Sequence, residues 1–538
     1  VTIVSSQSIK QLASVASNPG WLMERSQAMK ITLNRFLTLA ALLASTGALM
    51  VGCSTEKDTP SGTTTAATRT ATLTWAANDE SDVAAYKVYF GTASGAFGAP
   101  IDAGKTTSYQ VTGLTIGQTY KFAVTAVDTS NNESNFPNEV ITVITNIAQG
   151  GSPGQATTYY VDKIGGLDAN SCAQAMNQLS PKQTITSGIS CLSAGDTLIV
   201  KAGTYDESFD DPFANTGTSW VNKITVKAEV PRSVIIKAMS GDYVMTFQAA
   251  SQRYIEFNGI EIDASNALAC GVCIAGEAHH IRFKNSAILN AANQGVSILT
   301  GAGASPDYNE FINVEVANSA LNRPCFGRDG INPEDGYCHG FYISSNNNFL
   351  DGVNVHHNNG YGVQFFPQGN RGNTIRNSLS HDNLSVGIGS FGDDNRVVNN
   401  VVYNNNGGGL LIEETNNLVH NNTVHNNPQG ISGLTVRGTG HLVKNNLFFL
   451  NDVFGIQPDT TNLVGTDPLF TDAAGGNFRL QATSPAINTG VPLLGVATDF
   501  DSIRRPQGNV PDIGAYEFSG NVAGDIVAPV PPADLTVL

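Results

Sequence analysis

The sequence predicts an all-β protein, a small antiparallel β-sandwich followed by a parallel β-helix. Three observations point that way. Short alternating apolar stretches, separated by turn clusters, run through residues 69–146. A repeat with the core N-N-x-V-x-x-x-N dominates the chain after residue 350. The composition is poor in charge, with 14% Asp, Glu, Lys and Arg against about 25% in ordinary globular domains, and rich in Gly, Asn and Thr. At 538 residues the chain holds several domains. Its net charge of −16 excludes a nucleic-acid binder, which needs a basic surface, and allows contact with polyanions only through a bridging cation.

The N-terminal part predicts export. Met29, Lys30 and Arg35 form a basic start, and an apolar run extends from Phe36 to Val51 and ends in LMVGC at Cys53. This resembles a bacterial lipoprotein signal in which Cys53 is lipidated, although Met50 stands where such signals carry Leu. The run is too short and too broken by Gly and Ser for a spanning helix, so membrane attachment is expected through the lipid alone. Residues 1–28 read as an upstream extension outside the native protein, 29–52 as the signal and 53–68 as a Ser/Thr-rich tether. The six remaining cysteines favour disulfides in an exported protein. Chain order pairs Cys172 with Cys191 and Cys325 with Cys338, and leaves Cys270 with Cys273. Cys270-x-x-Cys273 alone is half of a zinc pattern.

Residues 69–146 carry the strands ATLTWAA, AAYKVYFG, TSYQVTGL, TYKFAVTAVD and EVITVI. Trp75 stands in the second strand as a core tryptophan, and Tyr120 follows Leu114 by six residues, as at a tyrosine corner. The segment resembles a fibronectin type III domain, which implies a spacer or binding module. A Gly/Ser/Pro-rich linker at 147–157 follows.

In the repeat, Asn358, Asn383, Asn405, Asn427 and Asn451 form one column with spacings of 25, 22, 22 and 24 residues. No 3.6-residue period is present, so a helical solenoid is excluded. Coils of two or three short strands with Asn/Gly corners stack at about 4.8 Å, aligning equivalent residues. The column Asn is expected at left-handed corners, bonding to the coils above and below. TYYVD at 158–162 and GDTLIVKAGTYDE at 195–207, with DPLF, FRL, SPAI and DIGAYEF near the other end, resemble right-handed parallel β-helix proteins of the pectate-lyase-like superfamily. The resemblance implies a helical cap over 170–192, a β-helix over 158–456 and a C-terminal cap region over 457–518. It implies lyases, hydrolases, epimerases or proteins without catalysis as relatives. The Pro-rich tail 519–538 opens like another fibronectin type III domain.

Alternation after each corner Gly sends Val363, Phe365, Ile388, Ser390, Leu410, Ile412, Leu434 and Val436 inward. It sends Tyr342, Gln364, Phe366, Phe391, Glu413 and Arg437 outward, with Arg371 just past the strands. Aromatic rings beside acids and Arg suit sugar, so Tyr342, Gln364, Phe366, Phe391, Arg437 and Arg371 are the candidate substrate-binding residues. A second outward column holds His356, His381, Tyr403, His425 and Phe449, with His339 and Asp382 nearby in the same frame. His356, His381 and Asp382 are the candidate acid/base residues. Asp393, Asp394, Glu413 and Glu414 lie about one coil apart and offer oxygen ligands for Ca²⁺, which would neutralise a uronate carboxylate and ease removal of the neighbouring proton. Polygalacturonase-like hydrolases carry GDDC, GHG and RIK; this chain has GDDN at 392–395, CHG at 338–340 and no RIK. The expected protein is therefore a monomeric cell-surface lipoprotein or secreted protein. Its β-helix would bind, and cleave by β-elimination, an extracellular polysaccharide; a non-catalytic adhesion rod and a glycoside hydrolase are the alternatives.

Overall fold

The computed structural model describes residues 68–537 apart from internal segments, the longest being 144–155, 322–337 and 520–531. The signal-like segment, Cys53, Cys325 and most of the 147–157 linker lie outside the described residues.

Residues Thr68–Val143 form a fibronectin type III sandwich. Val83–Gly91 is paired antiparallel to Ile101–Gly104 and Thr119–Asp128, and the latter to Val140–Val143. The facing sheet pairs Thr68–Thr74 with Ser108–Thr115. Between them Trp75 meets Tyr86 edge-on at 5.5 Å, beside buried Leu114 and Phe122. The Thr115 amide donates to the Tyr120 hydroxyl at 3.1 Å, which makes the tyrosine corner. The tail does not lie apart: Thr536–Val537 pairs antiparallel with Leu73 and Thr74, and Leu535 packs against the sandwich core.

The solenoid is a right-handed parallel β-helix. Each coil visits three parallel sheets in turn. Sheet 1 runs from Thr158–Val161 to Leu442–Lys444, sheet 2 from Gly203–Tyr205 to Leu463–Val464, and sheet 3 from Phe209–Asp210 to Val453–Gly455. The strands are mostly three to six residues long, β-branched or apolar at alternate positions. All eight residues expected inward are buried, and stacking repeats one coil's contacts in the next. Phe257, Phe283 and Phe311 stack in this way at 5.1 and 5.5 Å. Over the first coil the expected helix is two short ones, Cys172–Ala175 and Ile185–Ile189, closed by the Cys172–Cys191 disulfide. Ile185, Ile189 and Leu192 join the core there. Cys270 and Cys273 are also bonded, and Cys338 is itself in a disulfide.

The corner between sheets 2 and 3 holds the Asn column. Asn358, Asn383, Asn405 and Asn427 each donate from the side-chain amide to the next Asn at 2.9–3.0 Å. The left-handed residue, however, is one position earlier: His357, Asp382, Asn404, Asn426 and Leu450 have φ between 49° and 57°. The column Asn is therefore free to turn its amide inward, and its neighbour makes the bend. A parallel column, Asn348, Asn373, Asn395 and Asn417, lines another corner and is also buried.

The C-terminal region lies along sheet 2. Phe470, Phe478, Leu480, Ile513 and Tyr516 pack on outward Val401 and Leu447. Arg505 and Glu517 form a fully buried ion pair at 2.6 Å.

Asn405 accepts from the backbone and side-chain amides of Asn383 and donates to Ser380, Tyr403 and Asn427. Asn405→Ala strands several buried polar groups, each costing about 1–3 kcal/mol, so equilibrium unfolding should show a loss of about 3 kcal/mol or more. Asn404→Ala, at the left-handed position, should lose only about 1–2 kcal/mol.

Candidate functional site

The outer face of sheet 3 carries a ring cluster. Tyr342 and Gln364 lie side by side in adjacent strands, both nearly buried although they point outward. Just past the strand ends, Phe366 and Phe391 meet edge-on at 5.5 Å, and Phe366 is 37% exposed. Phe366 also approaches Tyr342 at 6.3 Å and Phe391 approaches Tyr361 at 6.2 Å. Gly389 leaves room for this packing, because a Cβ there would stand 2.9 Å from both the Tyr361 and Phe391 rings and push them aside. Arg437 donates to Glu413 at 2.5 Å, and Arg371 stands 3.9 Å from Asp393; both arginine side chains are more than half exposed.

His339 belongs to this cluster and not beside Asp382. It stacks on Tyr342, meets Tyr361 edge-on, and accepts from the Tyr361 amide at 3.0 Å. Burial pushes its pKa down to about 3, so it is a neutral support for the rings.

The acid/base candidates lie on a different surface, the outer face of sheet 2. His356, His381 and Tyr403 stack at 5.0 and 4.7 Å in successive coils. His381 Nδ1 lies 2.7 Å from Asp382 Oδ2, and its Nε2 lies 3.1 Å from the Asn354 carboxamide oxygen. His356 Nε2 lies 3.2 Å from Glu315. Glu315 is shared with Arg232 at 2.6 Å, and Arg232 also reaches Glu261 at 3.3 Å. Beside this chain of charges is a cleft of about 230 Å³ lined by Arg232, Asn285, Asn313, Glu315 and Asn354. Burial lowers the pKa of both His356 and His381, against the opposing pull of Glu315 and Asp382. The column's far end is closed: His425 is enclosed by Phe449, Phe470 and Phe478.

The structure thus separates what the sequence frame placed together. Tyr342, Gln364, Phe366, Phe391, Arg371 and Arg437 flank sheet 3, whereas His356, His381 and Asp382 stand on sheet 2. The four carboxylates do not converge either. Asp393 accepts from the Thr415 amide and hydroxyl, Glu413 is taken by Arg437, and Asp394 and Glu414 occupy left-handed corners. Among the described residues no group of three or more acids, His or Cys is placed to hold a metal.

Sequence reasoning missed Tyr361, Arg232, Glu315 and Asn354. Tyr361 directly precedes the corner Gly of an aligned repeat, and its ring was the available signal. Glu315 pairs with Asn354 across neighbouring coils, but the 322–337 segment intervenes and breaks the 22–25-residue period.

Gly389→Ala should displace Tyr361 and Phe391 and change the near-ultraviolet dichroism while leaving the far-ultraviolet spectrum intact. Acid should also destabilise the solenoid. His339 is held near 3, and His280 and His420 near 4, all by burial, against about 6.5 unfolded. The unfolded chain then binds protons first, so stability is full above about pH 6.5 and falls as pH drops toward 4. Melting temperatures across that window should show the fall, and His339→Gln should make it shallower.

A family model for the right handed beta helix region matches residues 270–448, and one for the fibronectin type III domain matches residues 58–143. No curated protein matches the chain. Among solved structures, the chain is similar to pectate lyase Pel9A at 19% identity over 68% of this chain and 97% of that one, with a TM-score of 0.49. It is similar to a rhamnogalacturonan lyase at 16% identity over 58% and 86%, TM-score 0.41. An alginate lyase from Paenibacillus sp. str. FPU-7 matches at 16% identity over 52% and 97%, TM-score 0.32. Likenesses of this degree assign no substrate and no residue role. What the chain combines is a fibronectin type III sandwich and a right-handed parallel β-helix.

Proposed function

We propose that this is an exported cell-surface protein whose β-helix binds an extracellular polysaccharide along the outer face of sheet 3. The supporting observation is the cluster of Tyr342, Tyr361, Phe366 and Phe391 on a rigid sheet, flanked by the half-exposed arginines Arg437 and Arg371. Ring faces take the C–H faces of pyranoses, and a guanidinium fork takes a uronate carboxylate. Native gels containing pectate or alginate should retard the protein. Phe391→Ala should weaken retention about tenfold, the equivalent of about 1.4 kcal/mol; retention equal to wild type would remove the sheet 3 face.

A second reading, β-elimination, is favoured by the His381–Asp382 pair beside the Arg232–Glu315 cleft. There His381 takes the proton from the carbon bearing the uronate carboxylate, the neighbouring C–O bond breaks as the double bond forms, and the leaving oxygen takes a proton from water in the cleft. The polymer then lies on sheet 2. His381→Ala should abolish the rise in ultraviolet absorbance of unsaturated product, while Phe391→Ala leaves turnover unchanged. Reducing ends without that absorbance would mean hydrolysis.

A further inference from the structure

The first corner of sheet 1 has a left-handed residue in coil after coil. In later coils it is Asn347, Gly372, Asp394, Asn416 and Gly440, with φ between 55° and 76°. These are the residues that tolerate that conformation. In three successive earlier coils the same register position holds Tyr254, His280 and Tyr308, with φ of 51°, 55° and 62°. A bulky side chain there is strained, and here three aromatic rings stand in a row at one register position.

The rings are brought together. Tyr254 and His280 lie 4.5 Å apart, and His280 stacks on Tyr308 at 5.1 Å. Trp220 stands edge-on to Tyr254 at 5.6 Å, and the Arg282 guanidinium covers the Trp220 ring at 3.7 Å. Arg282 is fixed by Glu256 and Glu310. The platform is not hidden in a core, since Tyr308 is 50% exposed.

We propose that Trp220, Tyr254, His280 and Tyr308 form a second glycan-binding platform, on sheet 1, that holds a neutral pyranose chain. This rests on the polysaccharide reading above and extends it to a separate surface. The neutral class follows from charge. Arg282 is already matched by two carboxylates, and the charges of Arg253 and Asp307 beside His279 and His280 oppose each other, which leaves the exposed Tyr308 ring, the ring edges and the phenol hydroxyls as the recognising groups. Sugars offer the complement, a C–H face ringed by hydroxyls.

Strain makes the test decisive. Tyr308→Asn installs the residue that this corner carries in other coils. If the ring served stability, the variant would melt lower; if it serves binding, the variant melts at the same or a higher temperature and loses ligand. In native gels containing xylan or galactomannan, the full chain should be retarded, and Tyr308→Asn should lose at least about fivefold of that retention without a lower melting temperature. Tyr254→Asn should behave alike. Wild-type retention in both variants, or a lower melting temperature with retention intact, overturns the platform. Retention of wild type by pectate alone, lost in Phe391→Ala, overturns it while leaving the sheet 3 reading standing. No retention by any of these polymers removes both.

Discussion

In the later coils, amide-to-amide hydrogen bonds between successive turns are the constraint that holds the register on which the side-chain distances depend. Asn358, Asn383, Asn405 and Asn427 are buried, and each carboxamide is satisfied only when the coils above and below present theirs in register. A slip of one residue would reverse every inward and outward side chain and leave a row of polar groups without partners. With register fixed, residues one coil apart stand at stacking distance whatever they are. The His356–His381–Tyr403 stack and the Tyr254–His280–Tyr308 stack exist because the backbone places them there. Function on this scaffold is a matter of which residue occupies a position already set.

Burial then decides which positions remain available. Outward-pointing is not the same as exposed: Leu411 and Thr435 point away from the core and are nevertheless almost wholly covered. On sheet 2 the C-terminal region covers the far coils, enclosing His425 and part of Tyr403 in an aromatic cluster, and stops short of His356 and the Arg232–Glu315 cleft. A single column of similar residues is thereby divided into a structural half and a chemically accessible half.

Much of the fold was legible because its causes are local. The repeat gave the Asn column, alternation gave the inward set, and the Leu114–Tyr120 spacing gave the tyrosine corner. The left-handed bend was misplaced by one residue, because Asn suits both the bend and the buried amide and the two roles stand next to each other. The site was less legible. Stacking tells which residues share a column, but not how columns on different sheets face, so the rings of sheet 3 and the imidazoles of sheet 2 seemed one surface. Glu315 escaped because a long insertion between coils hides the period without disturbing the stack. Arg232 escaped because an arginine spans three coils and pairs with Glu315 far along the sequence.

The pairing of Thr536–Val537 with Thr68–Thr74 has a temporal side. The sandwich draws one of its edge strands from a segment synthesised hundreds of residues later, after every coil of the solenoid has emerged. Loop closure over such a length makes this the slowest kind of contact to form. Until it forms, Thr68–Thr74 presents an unpaired edge, the surface through which β-proteins join to one another. The order of synthesis thus leaves the nascent sandwich with an open edge for as long as the solenoid takes to be made.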